Sequence, residues 1–206
     1  MLPASFCQVP CALESVSLWS WSTQGIDLEF YKSLLSQEEL RRTETMGQRK
    51  RRQEFICGRG GLRLLLGCYL ERSPQELEII YTPSGKPTLA NSPWQFNLAH
   101  TDHLILCAIA EGSPVGVDVE HQGRSCSMDS IMRRYLSPQS YQAWQALPQA
   151  QQHREFWRWW TQREAIAKAL GTGIYRQLTS HPPLQTATFV IYDHYLTSIC
   201  LVEREF

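Results

Sequence analysis

Asp118 and Glu120 alternate with two valines in Gly116-Val-Asp-Val-Glu120. In a strand this spacing sends both valines to one face and both carboxylates to the other, roughly 6.5–7 Å apart along the backbone. Two hard oxygen donors on one surface suit magnesium, which takes one or two carboxylates and leaves positions for substrate phosphates. The same alternation also describes a strand that shows its acids to water. The pair therefore needs partners elsewhere in the chain.

The segment Glu155-Phe-Trp-Arg-Trp-Trp-Thr-Gln-Arg-Glu-Ala-Ile-Ala-Lys168 supplies one. At 3.6 residues per turn Trp157, Trp160, Glu164 and Lys168 share a helix face, so an acid and a base lie one turn apart over indole surface. A solvated Glu-to-Lys pair one turn apart is the ordinary alternative. His100 closes Phe96-Asn-Leu-Ala-His100, where an imidazole could meet an anionic ligand or cap a loop, and Lys86 stands in Ser84-Gly-Lys-Pro87, a turn composition. Arg49-Lys-Arg-Arg52 and Arg59 could bind phosphate through charge and the forked donors of guanidinium. Gly58-Arg-Gly-Gly61 lacks the glycine spacing and the lysine-serine ending of nucleotide loops, which argues against triphosphate hydrolysis.

The elements that must position these residues follow from pattern. Leu18 to Trp21 reads as a strand, and Ser36-Gln-Glu-Glu39 as a helix cap opening helical structure that runs on through Leu70. Within it Gly58, Gly60 and Gly61 permit close approach of another backbone. Strands are expected at Leu77 to Tyr81 and Trp94 to Leu98, with a turn at Pro83 to Pro87. Leu104 to Ala110 and Val115 to Glu120 read as a hairpin around Glu111-Gly-Ser-Pro114. Helices are expected near Met128 to Tyr135, Pro138 to Leu147 and Glu155 to Leu170, the last ended by Gly171 and Gly173. Strands Ala187 to Tyr192 and Tyr195 to Leu201 follow. Asp102-His-Leu-Ile-Leu-Cys107 is echoed by Asp193-His-Tyr-Leu-Thr-Ser-Ile-Cys200, which together with a long helix in each half points to two similar α+β subdomains joined near residues 112 to 120.

Composition narrows the classes. The 206 residues, 43% hydrophobic, can bury a sizeable core. The 20 basic and 20 acidic residues balance, which disfavours a nucleic-acid or anionic-membrane partner. Charge is uneven along the chain, however: Lys32 to Arg72 holds 10 basic residues against 5 acids, a local anion-facing candidate. The 7 cysteines form no Cys-x-x-Cys pair, and neither a secretory leader nor a membrane-length apolar run is evident. A reduced, cytoplasmic protein is expected.

Taken together, Gly85-Lys-Pro87, Phe96-Asn-Leu-Ala-His100, Gly116-Val-Asp-Val-Glu120 and Trp160-Thr-Gln-Arg-Glu-Ala-Ile-Ala-Lys168 resemble, in order and spacing, the motif series of 4′-phosphopantetheinyl transferases of the surfactin-synthetase-activating (Sfp) type. The resemblance spans about residues 36 to 175. It implies an α+β pseudo-dimer of two subdomains, 1–112 and 113–206, each a small antiparallel sheet packed with a long helix, with coenzyme A and magnesium in the cleft between them. It implies transfer of 4′-phosphopantetheine from coenzyme A to a serine of an acyl or peptidyl carrier protein, by a monomer. Asp118, Glu120 and Glu164 then resemble the magnesium ligands. Lys86, Pro87, His100 and Lys168 resemble coenzyme A contacts, and Arg59 a contact to its 3′-phosphate. Glu164, directly or through water, is the candidate base, and Lys168 the candidate for stabilising charge.

Three departures accompany the likeness: Ala99 stands where serine often precedes the histidine, Arg163 replaces the usual lysine before the glutamate, and the end at Phe206 comes soon after the last strand, reading as a trimmed second subdomain. None removes a candidate metal ligand. The resemblance also places a carrier-facing surface near Ser130 to Leu136. There Arg133 and Arg134 would steer an acidic carrier while Met132 and Leu136 supply contact area; an ordinary amphipathic helix is the alternative. Two rivals remain: a nucleic-acid module using Arg41 to Arg63, and a scaffold that has lost catalysis.

Overall fold

The computed structural model describes residues 2–173 and 182–203. Nine strands and six α-helices are formed among them: β1 (Cys7–Val9), β2 (Val16–Ser22), α1 (Leu28–Ser33), α2 (Gln37–Glu44), α3 (Arg49–Leu70), β3 (Ile79–Tyr81), β4 (Pro87–Leu89), β5 (Trp94–Thr101), β6 (Leu104–Glu111), β7 (Val115–His121), α4 (Met128–Tyr135), α5 (Pro138–Gln145), α6 (Gln149–Leu170), β8 (Leu184–Ile191) and β9 (Tyr195–Val202). The fold is α+β with antiparallel sheets. One sheet is ordered β1-β2-β6-β5, a second β7-β9-β8, and β3 and β4 form a separate small ribbon.

Alternation within single strands assigns each sheet its two neighbours. Along β6, Ile105, Cys107 and Ile109 join Trp21, Phe96, Ile56, Leu62, Leu65 and Leu66 in a core between the first sheet and α3. The intervening Leu106, Ala108 and Ala110 meet Val115, Val117 and Val119 of β7 and Ile199 and Leu201 of β9. The two sheets thus bury their remaining faces against each other. The opposite face of β7 and β9 packs on α6, where Ala165 and Ala169 lie with Cys200 and Val202. Because β7 is buried on both faces, its acids point at a helix and not at water.

Several sequence expectations need correction. The stretch from Ser36 to Leu70 is two helices. Ser36 and Glu39 form the expected capping box, but the first helix stops at Thr45 and the second starts after Gln48. The additional helix α1 begins at Asp27, whose Oδ1 accepts the Glu29 and Phe30 N–H groups. The expected close approach does occur at Gly60, where a Cβ would lie 2.4 Å from the Tyr31 carbonyl oxygen of α1. The expected hairpin between Leu104–Ala110 and Val115–Glu120 does not form. β6 pairs with β2 and β5, β7 pairs with β9, and residues 112–114 carry the chain from one sheet to the other. The last long helix starts at Gln149, six residues earlier than expected. Among the described residues no helix is long and apolar enough to cross a membrane.

Candidate active site

β7 and α6 bring the acidic candidates together. Gly116 lets them approach: a Cβ there would stand 2.0 Å from the Ala165 carbonyl oxygen and 2.4 Å from the Ala169 nitrogen, both on α6. The α6 register is fixed by a hydroxyl chain in which Thr161 Oγ1 meets Ser198 Oγ at 2.8 Å and Ser198 Oγ meets Thr188 Oγ1 at 2.9 Å. One turn further along α6 stands Glu164, and another turn on Lys168 donates to Asp118 Oδ1 at 2.6 Å and to the Val117 carbonyl at 3.3 Å. Lys168 therefore pairs across to β7 and not with Glu164 on its own helix. The indoles do not floor this site as the helical wheel implied, because Trp157 is buried with Met132, Tyr141 and Phe156.

Asp118 is the electrostatic centre. Burial pushes its carboxyl up from 3.8 to about 6, the Lys168 ammonium opposes that rise, and the nearby Glu120 and Glu164 charges add to it. Its second oxygen, Oδ2, is buried with no hydrogen-bond partner. An orphaned carboxylate oxygen close to two further acids costs free energy unless a cation meets it. Glu120 is gripped by Arg124, whose Nη1 donates to both carboxylate oxygens at 3.0 and 2.8 Å. Two of the three acids are thus paired to cations, and no cluster of three or more His, Cys, Asp or Glu side chains at metal-holding geometry is formed among the described residues. The oxygen donors and the orphaned Oδ2 nonetheless fit a hard divalent cation.

A neighbouring groove of about 480 Å³ is lined by Arg51, Phe55, Gly58, Arg59, Ala99 and His100, among others. It adjoins the acidic site through β5, which carries His100 and whose Asn97 Oδ1 accepts the Val117 N–H at 3.0 Å. His100 is exposed at the groove, its Nε2 3.9 Å from Glu54 Oε2. Arg59 is buried: Nε faces Glu39 Oε1 at 3.2 Å, Nη2 donates to the Tyr81 hydroxyl at 2.9 Å, and Nη1 has no partner. Burial holds its pKa below the ordinary arginine value. Glu39 also accepts from Arg63, so one buried carboxylate faces two guanidiniums and the cluster keeps a positive excess.

Lys86 lies apart from that groove. Its Nζ donates to the Val115 carbonyl at 3.2 Å and to Ala169, in the last turn of α6, at 3.0 Å. Burial lowers its pKa to about 8. Lys86 and Lys168 thus hold carbonyls two residues apart on β7, with Lys86 near the negative end of the α6 dipole. Pro87 opens β4 opposite Tyr81. On α4, Met132 is 3% exposed and packs against Tyr141, Trp144, Phe156 and Trp157, which corrects its assignment as contact area: it anchors the helix inward. Leu136 is partly buried on the same cluster. Arg133 and Arg134 remain exposed, lying over the Tyr141 and Tyr135 rings at 5.8 and 5.6 Å.

Sequence reasoning did not single out Glu39, Tyr81 or Arg124 as site residues. Glu39 was visible only as a capping residue and Tyr81 only as the end of a strand. Arg124 stands four residues past Glu120, a spacing with no fixed meaning beyond the end of a strand.

An α+β protein with a buried acidic pair on one strand, a lysine facing it from a helix and an arginine-lined groove alongside has the parts for a metal-assisted reaction on a phosphorylated ligand. Residues 114–197 match the model of the 4′-phosphopantetheinyl transferase superfamily. The chain is 36% identical over 151 residues to the 4′-phosphopantetheinyl transferase HetI of Nostoc sp. (strain PCC 7120), covering 71% of this chain and 64% of that protein. It is 32% identical to the putative 4′-phosphopantetheinyl transferase slr0495 of Synechocystis sp. (strain PCC 6803), covering 79% and 67%. To AcpT of Salmonella typhimurium it is 30% identical, covering 68% and 70%. The match thus spans just under two thirds of HetI and about two thirds of the other two. The chain belongs to the 4′-phosphopantetheinyl transferase superfamily.

Proposed function

We propose that this chain transfers 4′-phosphopantetheine from coenzyme A to a serine of an apo acyl or peptidyl carrier protein, releasing holo-carrier and adenosine 3′,5′-bisphosphate. The observation that carries the reading is Asp118: a buried carboxylate with one oxygen held by Lys168, the other without a partner, and Glu120 and Glu164 close enough to raise its pKa. Asp118, Glu120 and Glu164 would hold magnesium. When bound, that ion supplies positive charge to the coenzyme A diphosphate.

The chain's own residues then have separable tasks. Lys168 and His100 provide fixed donors toward the diphosphate oxygens, where charge develops as the serine oxygen bonds to the β-phosphorus and the bisphosphate departs. Glu164 takes the serine proton. Arg59 grips the 3′-phosphate from the groove, and Lys86 and Pro87 flank the coenzyme from the β3–β4 ribbon. Arg133 and Arg134, exposed on α4, steer an acidic carrier. We assign the protein to the Sfp type, acting as a cytoplasmic monomer. We also take residues 1–112 and 113–206 as two subdomains of a pseudo-dimer with the reactants in the cleft between them. The back-to-back sheets, each backed by a 22-residue helix, support that division.

Incubation with coenzyme A, magnesium and a panel of apo-carriers, followed by mass spectrometry, tests the reading. At least one carrier should gain the mass of a phosphopantetheine group on its serine. If the folded protein binds coenzyme A but modifies no carrier in a broad panel, the reading fails.

A further inference from the structure

The groove arginine is held in place by residues that the proposed reaction does not itself require. Arg59 is 8% exposed and makes two polar contacts that fix its guanidinium plane, Nε to Glu39 and Nη2 to the Tyr81 hydroxyl. The Phe55 and Tyr81 rings lie 5.9 and 5.7 Å from its central carbon and confine it further. A buried guanidinium with its Nη1 left unpartnered is costly unless an anion completes its donor set. Glu39 does not neutralise the cluster, being shared with Arg63. Arg42 adds a further positive charge, its Nη1 lying 3.5 Å from the same Tyr81 oxygen.

Tyr81 is unusual in this group. It is 42% exposed on a short ribbon, so its ring contributes little to a core, yet its oxygen accepts from the buried Arg59. Its partner across the ribbon is Pro87, within the segment that carries Lys86. The ribbon thereby brings a hydroxyl from 22 residues away to one side of the guanidinium, while Glu39 holds the other. An arginine clamped on two edges presents its remaining donors in a set direction and loses less rotamer freedom when an oxyanion binds.

We propose that Tyr81 is a positioning residue that orients Arg59 to read a terminal phosphate monoester on the nucleotide, and so sets discrimination between coenzyme A and its dephospho form. This rests on the reading of Arg59 as the 3′-phosphate contact. Tyr81 acts through Arg59: without its hydroxyl the guanidinium keeps its charge but loses the bond that fixes Nη2. Preference for the phosphorylated ligand should then fall, while affinity for the dephospho ligand stays level.

The experiment is equilibrium titration of coenzyme A and dephospho-coenzyme A against wild type, Tyr81→Phe, Arg59→Ala and the double variant, with melting temperature recorded for each. Tyr81→Phe should remain folded, melting somewhat below wild type because Arg59 Nη2 loses its acceptor, and should lose about 10–100-fold of the preference for coenzyme A, the effect of one hydrogen bond to a charged group. Arg59→Ala should abolish the preference, and adding Tyr81→Phe to it should change nothing further. Full preference retained in Tyr81→Phe while Arg59→Ala loses it overturns the positioning role and leaves the Arg59 reading intact. Undiminished preference in Arg59→Ala overturns both. Equal additional loss from Tyr81→Phe in the Arg59→Ala background shows that Tyr81 acts independently of Arg59 and likewise overturns the proposal.

Discussion

Gly116→Ala probes how the site is held together, because it touches no candidate ligand. The added methyl would lie 2.0 Å from the Ala165 carbonyl oxygen and 2.4 Å from the Ala169 nitrogen, both backbone atoms that cannot rotate away. Restoring an ordinary 3.4 Å contact requires α6 to retreat from β7 by about 1.4 Å, the difference between 3.4 and 2.0. That movement carries Glu164 and Lys168 away from Asp118 and Glu120. Overpacking of this kind costs about 1–3 kcal/mol or more, and displacing reacting groups by about 1 Å can cost 10²-fold in rate. We expect a lower denaturant midpoint and a loss of carrier modification on the order of 10²-fold in the fraction that remains folded. Gly47→Ala, with nothing within 4 Å of the added Cβ, is the control and should be silent in both assays. A Gly116→Ala protein with wild-type stability and turnover would refute the claim that this contact sets the spacing of the acids.

Two other perturbations separate stability, docking and chemistry. Burial raises Asp118 from 3.8 to about 6, so between those values the folded chain binds more protons than the unfolded one and stability falls as pH rises. The loss is complete above the folded value and amounts to about 3 kcal/mol. Asp118→Asn should therefore flatten the melting temperature between pH 4 and 6 and, without magnesium, melt above wild type at pH 7.5 while losing transfer; an unchanged pH slope contradicts this. Arg133→Glu with Arg134→Glu should raise the KM for carrier, most at low salt, with coenzyme A binding unaltered and only a small fall in melting temperature from the lost Tyr141 and Tyr135 ring contacts. Unchanged carrier kinetics in the folded variant would move the docking surface elsewhere.

What the sequence disclosed was largely local. Period-two alternation in Gly116 to Glu120 correctly put the acids on one face and the valines on the other, and the helical spacing around Glu164 and Lys168 placed both on one long helix. The nature of the opposing surface was not legible, since it depends on Ala165 and Ala169 meeting Gly116 across a long stretch of chain. The false hairpin has the same cause. Four turn-forming residues between two apolar runs fit a tight connection, but β7 carries apolar residues on one face and acids on the other. It therefore lies between the first sheet and α6 and pairs with β9, about 80 residues on. The clamp on Arg59 was hidden because Glu39 and Tyr81 lie on separate elements whose local patterns are fully explained by a helix cap and a strand. Met132 misled for the opposite reason: an apolar residue on an arginine-bearing helix fits a docking face as readily as an anchoring one, and only packing against Trp157 and Tyr141 separates them.

The central claim is that Asp118, Glu120 and Glu164 together hold the ion on which transfer depends. The measurement that meets it most directly is the initial rate of carrier modification as a function of magnesium concentration, for wild type, Asp118→Ala and Glu164→Gln, with coenzyme A saturating. Wild type should show a saturable magnesium requirement abolished by chelation. Both variants, folded by melting temperature, should lose transfer at limiting magnesium, with Glu164→Gln doing so while nearly preserving side-chain shape. Near-normal turnover of either variant at limiting magnesium would contradict the assignment.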